Sequence, residues 1–332
     1  MQKKDFGLLV LILVVGAIVA FINPRFLSPV NLANTANLVG LFGLFAIGQG
    51  FVIITGGIEL SVGSVIALLG VLFVDLIANY GVPWPAGIAL MLVLGALIGL
   101  AHGLLITRLD MQPFIVTLCG LLIYRGIARW YTADGTVGFA FGQSFPTLDW
   151  LTIGRTGGVP HSLIAMLIVA AVMWVVLHRS VFGRYLYAVG KNEEAARYAG
   201  VPTGRVIVAA YMICAVLAAL AAIYFAMYTK SISPSSHGNF YELYAIAAAV
   251  LGGFSLRGGE GSIIGVVLGA VLLQMLQNLV NLLGIPSSLN FAVMGSVILV
   301  GVLADQQFDR YRRRRAATVV AQEQGEEAKA TA

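Results

Sequence analysis

Apolar stretches long enough to cross a bilayer recur along almost the whole chain and leave little sequence between them. Crossing a hydrocarbon layer takes about 20 helical residues. Such stretches fall at roughly 6–22, 35–55, 61–79, 84–106, 112–131, 162–178, 206–228, 240–254, 262–283 and 288–304, the eighth being short. A globular chain carries about 25% charged residues. Here 11% are charged and 59% are hydrophobic, so the expected class is an all-α polytopic membrane protein with about ten transmembrane helices.

Lys and Arg accumulate in the short loops on the cytoplasmic side. With both termini inside, Arg25, Arg125, Arg129, Arg155 and Lys230 fall outside and the other 15 of the 20 basic residues fall inside. An even span number follows. The basic residues are spread through loops as topology requires, so the net charge of +5 gives no reason to expect a nucleic-acid partner. The first span has no small-residue cleavage motif after it and reads as a retained helix. The last described function of charge is in the tail: Arg310 and Arg312 to Arg315 are expected to anchor a juxtamembrane segment on anionic headgroups. The expected organisation is a transmembrane domain over 1–305 and, over 306–332, a basic juxtamembrane segment and disordered cytoplasmic tail.

Several chemistries are excluded. The only Gly-Lys pair, Gly190-Lys191, is followed by Asn192 and has Tyr185 where a phosphate loop needs glycine. No zinc-protease or serine-hydrolase motif occurs, and two cysteines, Cys119 and Cys214, with four scattered histidines build neither a disulfide framework nor a metal site. Catalytic residues and metal ligands are therefore expected to be none. Ionisable residues within spans are few: Glu59, Asp75, His102, Arg125, Arg129 and Glu242. His102 reads as a packed, hydrogen-bonded residue, and the paired midplane acids of an ion-driven carrier are missing.

The 39 glycines have two patterns. Gly95, Gly99 and Gly103, and again Gly261, Gly265 and Gly269, recur every fourth residue, which lets a second backbone approach one helix face. Paired glycines in Thr55-Gly-Gly-Ile-Glu-Leu-Ser and Leu251-Gly-Gly-Phe-Ser-Leu-Arg-Gly-Gly-Glu-Gly261-Ser instead interrupt apolar sequence. Gly56, Gly57, Glu59, Ser61, Gly252 and Gly253 are candidate gate residues on re-entrant backbone, or members of tight turns that cap the next helix. Neutral amides and hydroxyls mark a candidate polar path: Asn34, Asn37 and Gln49 on the second span, Thr117 and Tyr124 on the fifth, Gln274, Gln277, Asn278 and Asn281 on the ninth, and Asn290 on the tenth. Each is equally readable as interhelical glue.

The densest polar segment short of the tail is the inside loop over 179–205. Asn192 is placed to cap a short helix, Glu193 and Glu194 put negative charge at its positive end, and Gly200 with Pro202 stops it. Ala195, Ala196 and Ala199 give it a slim body, with Arg197 for polar contact. It is either a docking element for another protein or an amphipathic helix at the headgroup boundary.

These residues resemble a known family. Val189-Gly-Lys-Asn-Glu-Glu-Ala-Ala-Arg-Tyr-Ala-Gly-Val201 is similar to the coupling-helix loop of permease subunits of ribose-type monosaccharide ABC importers. Gly56-Gly-Ile-Glu-Leu-Ser-Val-Gly-Ser64, Gln112-Pro-Phe-Ile-Val-Thr-Leu118 and Leu251 to Ser262 fit the same family in order, over about residues 6–305. Glu59 stands where the family usually has Asp, one methylene shorter, and the basic tail is a further departure. The resemblance implies a type II ABC importer-like bundle with broken helices in a bacterial inner membrane. It implies as partners an ABC ATPase that holds ATP-Mg, a periplasmic or lipoprotein sugar-binding protein meeting the outer loop 132–161, and a second permease copy or paralogue. The alternative class is a stand-alone secondary carrier or channel for a small neutral solute.

Overall fold

The computed structural model describes residues 3–286 together with Leu289, Ala292, Gly295, Ser296 and Leu299. The tail over 306–332, with its Arg-rich run, lies outside the described residues, as do Asn290 and nearly all of the tenth predicted span. The chain divides into two compact units, Met1–Ile285 and Pro286–Ala332, and every element named below belongs to the first.

Among the described residues of the first unit twelve α-helices follow in order, α1 Lys3–Ile22, α2 Pro29–Ile54, α3 Val62–Ala78, α4 Trp84–Arg108, α5 Pro113–Tyr131, α6 Pro146–Ile153, α7 His161–Arg179, α8 Val181–Lys191, α9 Glu193–Tyr198, α10 Thr203–Thr229, α11 Tyr241–Leu251 and α12 Ile263–Leu282. Seven of them, α1, α2, α4, α5, α7, α10 and α12, are long and apolar enough to cross a membrane. Two further helices, α3 and α11, match predicted spans at 61–79 and 240–254 but are shorter than the seven. At 17 residues α3 reaches about 26 Å, and at 11 residues α11 reaches only about 16 Å, at 1.5 Å per residue. α11 is cut by the glycine-rich turn that starts at Gly252, which leaves apolar sequence in non-helical backbone.

α2 and α3 form the centre. Both are largely apolar all round, as helices buried on most sides must be: α2 is buried from Val39 to Ile54 except at Phe42, and α3 from Val62 to Val71. α10 lies against α4, α2 and α3, and α12 lies against α11, α2 and α1. α1 touches α12 through Ile12, Val19, Leu272 and Met275 and otherwise presents exposed Phe6, Val10, Leu13 and Ile18, the surface expected of a helix facing lipid.

The four-residue glycine spacing has the predicted consequence on α4. A Cβ on Gly95, Gly99 or Gly103 would stand 2.8 Å from the Ala215 carbonyl oxygen, 2.5 Å from that of Tyr211 and 2.6 Å from the Val208 Cα. The α4 and α10 backbones are therefore in contact along three turns. In the second run only Gly265 and Gly269 belong to a helix, pressed against the α11 end at Gly252 and Ala248; Gly261 precedes α12 and lies on Phe254.

At the end of the bundle opposite α8 and α9, α6 and two small antiparallel pairs order the 132–161 loop. Val137–Gly138 (β1) pairs with Ser231–Ile232 (β4), and Arg155–Thr156 (β2) with Val159–Pro160 (β3). The charges of that loop are tied within the chain: Asp134 to Arg129, Asp149 to Lys230 and Arg155 to Asn34. The hydrogen bond from Arg129 holds the Asp134 carboxyl below its ordinary pKa.

Candidate functional site

The polar loop over 179–205 folds into two helices, of which only the second was legible as a short helix. Ser180 caps α8 by accepting from the Gly183 N–H at 3.0 Å, and Leu186 and Val189 face inward from it. Asn192 ends α8 and caps α9, its side chain accepting from the Ala195 N–H at 2.9 Å. α9 closes on Gly200 at φ 84°, with Val201 N–H on the Ala196 carbonyl and Gly200 N–H on that of Arg197, both at 3.0 Å, the paired bonds of a Schellman stop. Ala196 packs inward, while Glu194, Ala195, Arg197 and Gly200 are exposed; Arg197 bonds Glu193 one turn back at 2.7 Å. The segment is thus a short, rigid, outward-facing corner.

α8 carries that corner onto both glycine-rich turns. At its last turn Gly190 lies on the end of α2: a Cβ there would stand 1.8 Å from the Ile54 carbonyl oxygen and 2.3 Å from the Gly259 nitrogen. The Gly259 N–H itself donates to the Ile54 carbonyl at 2.8 Å. Tyr187 donates to the Gly261 carbonyl at 2.8 Å, and Lys191 bonds Glu260 at 2.7 Å. Three chain segments distant in sequence meet where only glycine leaves room. The turn that contains Gly252 and Gly253 therefore touches the one that contains Gly56 and Gly57, with α8 across both.

From this junction the Gly56–Ser61 segment runs inward as irregular backbone. Gly57, Glu59 and Ser61 are buried, and His102, which meets them, lies six residues, about 9 Å, inside the Arg108 end of α4. Backbone without helical bonds persists at such depth only when protein supplies its partners, and α2 and α5 do. Gln49 of α2, its amide oriented to satisfy both groups, donates to the Glu59 carbonyl and accepts from the Glu59 N–H, each at 3.2 Å. Thr117 of α5 donates to the Ile58 carbonyl at 3.1 Å.

The Glu59 carboxylate completes the arrangement. One oxygen accepts from the Ser61 N–H at 2.7 Å and the Ser61 hydroxyl at 2.6 Å; the other meets His102 Nδ1 at 2.8 Å. A carboxylate only accepts, so Nδ1 carries the proton. In the neutral imidazole Nε2 then accepts from the Tyr124 hydroxyl, 2.9 Å away. His102 is thus the hydrogen-bonded residue the sequence suggested, and it ties the segment to α4 and α5.

The structure gathers Gln49, Tyr124, Gly56, Gly57, Glu59 and Ser61 into one network. Other polar candidates stand apart. Asn37 accepts from the Ser162 hydroxyl at 2.5 Å, Asn278 exchanges amide bonds with Asn31 at 2.8 and 3.0 Å, Gln274 is buried, and Asn281 is exposed at the end of α12. Sequence reasoning missed Gly190 and Tyr187; the available signal was a pair of glycines, Gly183 and Gly190, inside an amphipathic helical stretch, which calls for a packing reason. Among the described residues no group of three or more His, Cys, Asp or Glu is placed to hold a metal.

Comparison with known proteins places this architecture. Residues 31–302 match the family described as branched-chain amino acid transport system / permease component. The chain belongs to this permease family. The permease is 39% identical over 306 residues to the ribose import permease of Escherichia coli (strain K12), covering 92% of this chain and 94% of that one. It is 41% identical over 307 residues to the ribose import permease of Bacillus subtilis (strain 168), with the same two coverages. It is 34% identical over 309 residues to the autoinducer 2 import system permease of Enterobacter sp. (strain 638), covering 91% and 93%. No solved structure matches it. The permease is the membrane subunit of an ABC importer and not an enzyme.

Proposed function

We propose that the permease passes a small neutral sugar, of the ribose type or close to it, through a bacterial inner membrane on energy supplied by a separate ATPase. α8 and α9 face the cytoplasm in this reading. The ATPase, which holds ATP-Mg, docks on the corner formed by Asn192, Glu193, Glu194, Ala195, Ala196, Arg197 and Gly200. A binding protein outside delivers the sugar to the 132–161 loop, and a second permease, identical or a paralogue, completes the path. Gln274 and Asn281, with the amides at Asn37, Gln49 and Asn278 and the Tyr124 hydroxyl, offer a hydroxyl-rich solute neutral hydrogen-bonding walls without trapping it by charge.

The observation that carries the reading is the seating of Gly190 on Ile54 and Gly259. Force applied to α9 reaches the end of α2 and the 259–261 stretch of the turn before α12 through α8. α2 continues into the Glu59 network, so a displacement of α8 shifts the segment that bars the interior. Neutral amides also suit a sugar better than an ion.

Reconstitution tests this directly. Proteoliposomes holding the permease, a partner ABC ATPase and a sugar-binding protein are expected to accumulate radiolabelled ribose-type sugar only when ATP and all three proteins are present. Accumulation driven by a proton or sodium gradient without the ATPase would show a secondary carrier instead.

A further inference from the structure

Where α4 ends and α10 begins, beside α9, lies a cavity of about 580 Å³, within the size range of pockets that hold small-molecule ligands. Its polar rim carries Arg108, Arg197 and Arg205, and no acidic side chain lines it. Arg197 is paired with Glu193. Among the described residues neither Arg108 nor Arg205 has an ion-pair partner, so two guanidinium groups face one cavity with their charge uncompensated. The inner wall is apolar, formed by Leu104, Val208 and Met212 among others.

The surface leading to it gives the second half of the argument. Leu90, Val93, Leu97, Ala101, Leu104 and Arg108 recur at three- and four-residue spacing on α4, and all are exposed; the opposite stripe of α4 is the glycine face packed on α10. An apolar stripe long enough to face acyl chains thus ends in arginines at the helix terminus, where a bilayer places its headgroups. A free anion would use the arginines and leave the apolar wall unused. A phospholipid of negative charge uses both.

We propose that this cavity is a binding site for an anionic phospholipid, the phosphate held between Arg108 and Arg205 and an acyl chain laid along Leu104 toward Leu97. Basic pockets between membrane helices hold such headgroups through paired charge. The site lies next to α9, so its lipid would brace the corner independently of what docks there.

Native mass spectrometry of the full chain, released from nanodiscs of phosphatidylglycerol and phosphatidylcholine, tests it. The wild type is expected to retain one more phosphatidylglycerol than Arg108→Gln/Arg205→Gln, with affinity lowered about tenfold or more by the pair of changes. Arg108→Lys/Arg205→Lys, which keeps the charge, should recover most of the binding and shows that folding is intact. Arg184→Gln/Arg257→Gln removes equal charge elsewhere and should leave that lipid in place. Equal loss in both Gln pairs would reduce the effect to general surface charge and overturn the site. Displacement of the lipid by inorganic phosphate would make it a simple anion site. Lipid retained in Arg108→Gln/Arg205→Gln, with loss only of the co-purifying ATPase, would assign the pocket to that protein.

Discussion

Gly190→Ala is expected to leave the ATPase bound to the permease yet lower ATP-driven uptake about tenfold or more. In a free helix the change would be favourable, because Ala is better than Gly by up to ~1 kcal/mol. Here the added Cβ would stand 1.8 Å from the Ile54 carbonyl oxygen and 2.3 Å from the Gly259 nitrogen. Both obstacles are backbone and cannot swing aside as a side chain would, so α8 has to withdraw from the two turns. Overpacking of this kind costs about 1–3 kcal/mol, and at about 1.4 kcal/mol per tenfold in rate that sets the size of the loss. α9 and its exposed contacts are untouched, which is why docking survives. Gly204→Ala is the control: its Cβ would find its nearest neighbour, Thr107, at 3.6 Å, and uptake should be unchanged. Co-purification and uptake are measured together. If Gly190→Ala transports as well as the wild type, α8 does not transmit force at this point.

Glu59→Ala is expected to be the most destabilising single change at the site, by several kcal/mol, because one substitution removes the acceptor of three buried hydrogen bonds. The Glu59 and His102 side chains are 6% and 3% exposed. Without the carboxylate the Ser61 N–H, the Ser61 hydroxyl and His102 Nδ1 lose their acceptor, and each stranded buried donor costs about 1–3 kcal/mol. The measurement is the thermal midpoint of the purified permease in detergent, compared with His102→Ala and the double variant. Residues in one network couple by about 0.5–3 kcal/mol, so the double variant should lose less than the two single changes together. Strict additivity would mean that Glu59 and His102 act separately. Glu59→Asp keeps the charge but shortens the reach; it should preserve the bonds to Ser61 and weaken the one to His102, giving an intermediate midpoint.

Much of this architecture is written locally. The length and apolarity of the spans mark the long helices, the four-residue glycine spacing on α4 marks its contact with α10, and Asn192, Glu193 and Gly200 mark α9 because caps and stops are short-range signals. The Glu59 network was legible only as scattered residues: Gln49, Glu59, His102 and Tyr124 lie on four segments, and nothing in their spacing says that one turn of backbone draws them together. α8 was missed for a different reason. Its polar and apolar residues alternate at helical spacing, but Gly183 and Gly190 weaken intrinsic helix preference, and the backbones they admit are not visible in sequence. The short α11 was overextended because the apolar run continues past Leu251 into the turn, where composition does not distinguish helix from buried loop.

The central claim is that the α9 corner receives its force from a separate ATPase. It is tested most directly by replacing Glu193, Glu194 and Arg197 together with Ala in the permease co-expressed with that ATPase. The account predicts that the ATPase no longer co-purifies and that ATP-dependent uptake is lost, while the thermal midpoint of the permease stays at the wild-type value, since these side chains are surface groups and an exposed Glu–Arg pair contributes about 0–1 kcal/mol. Co-purification and uptake both equal to the wild type would contradict it.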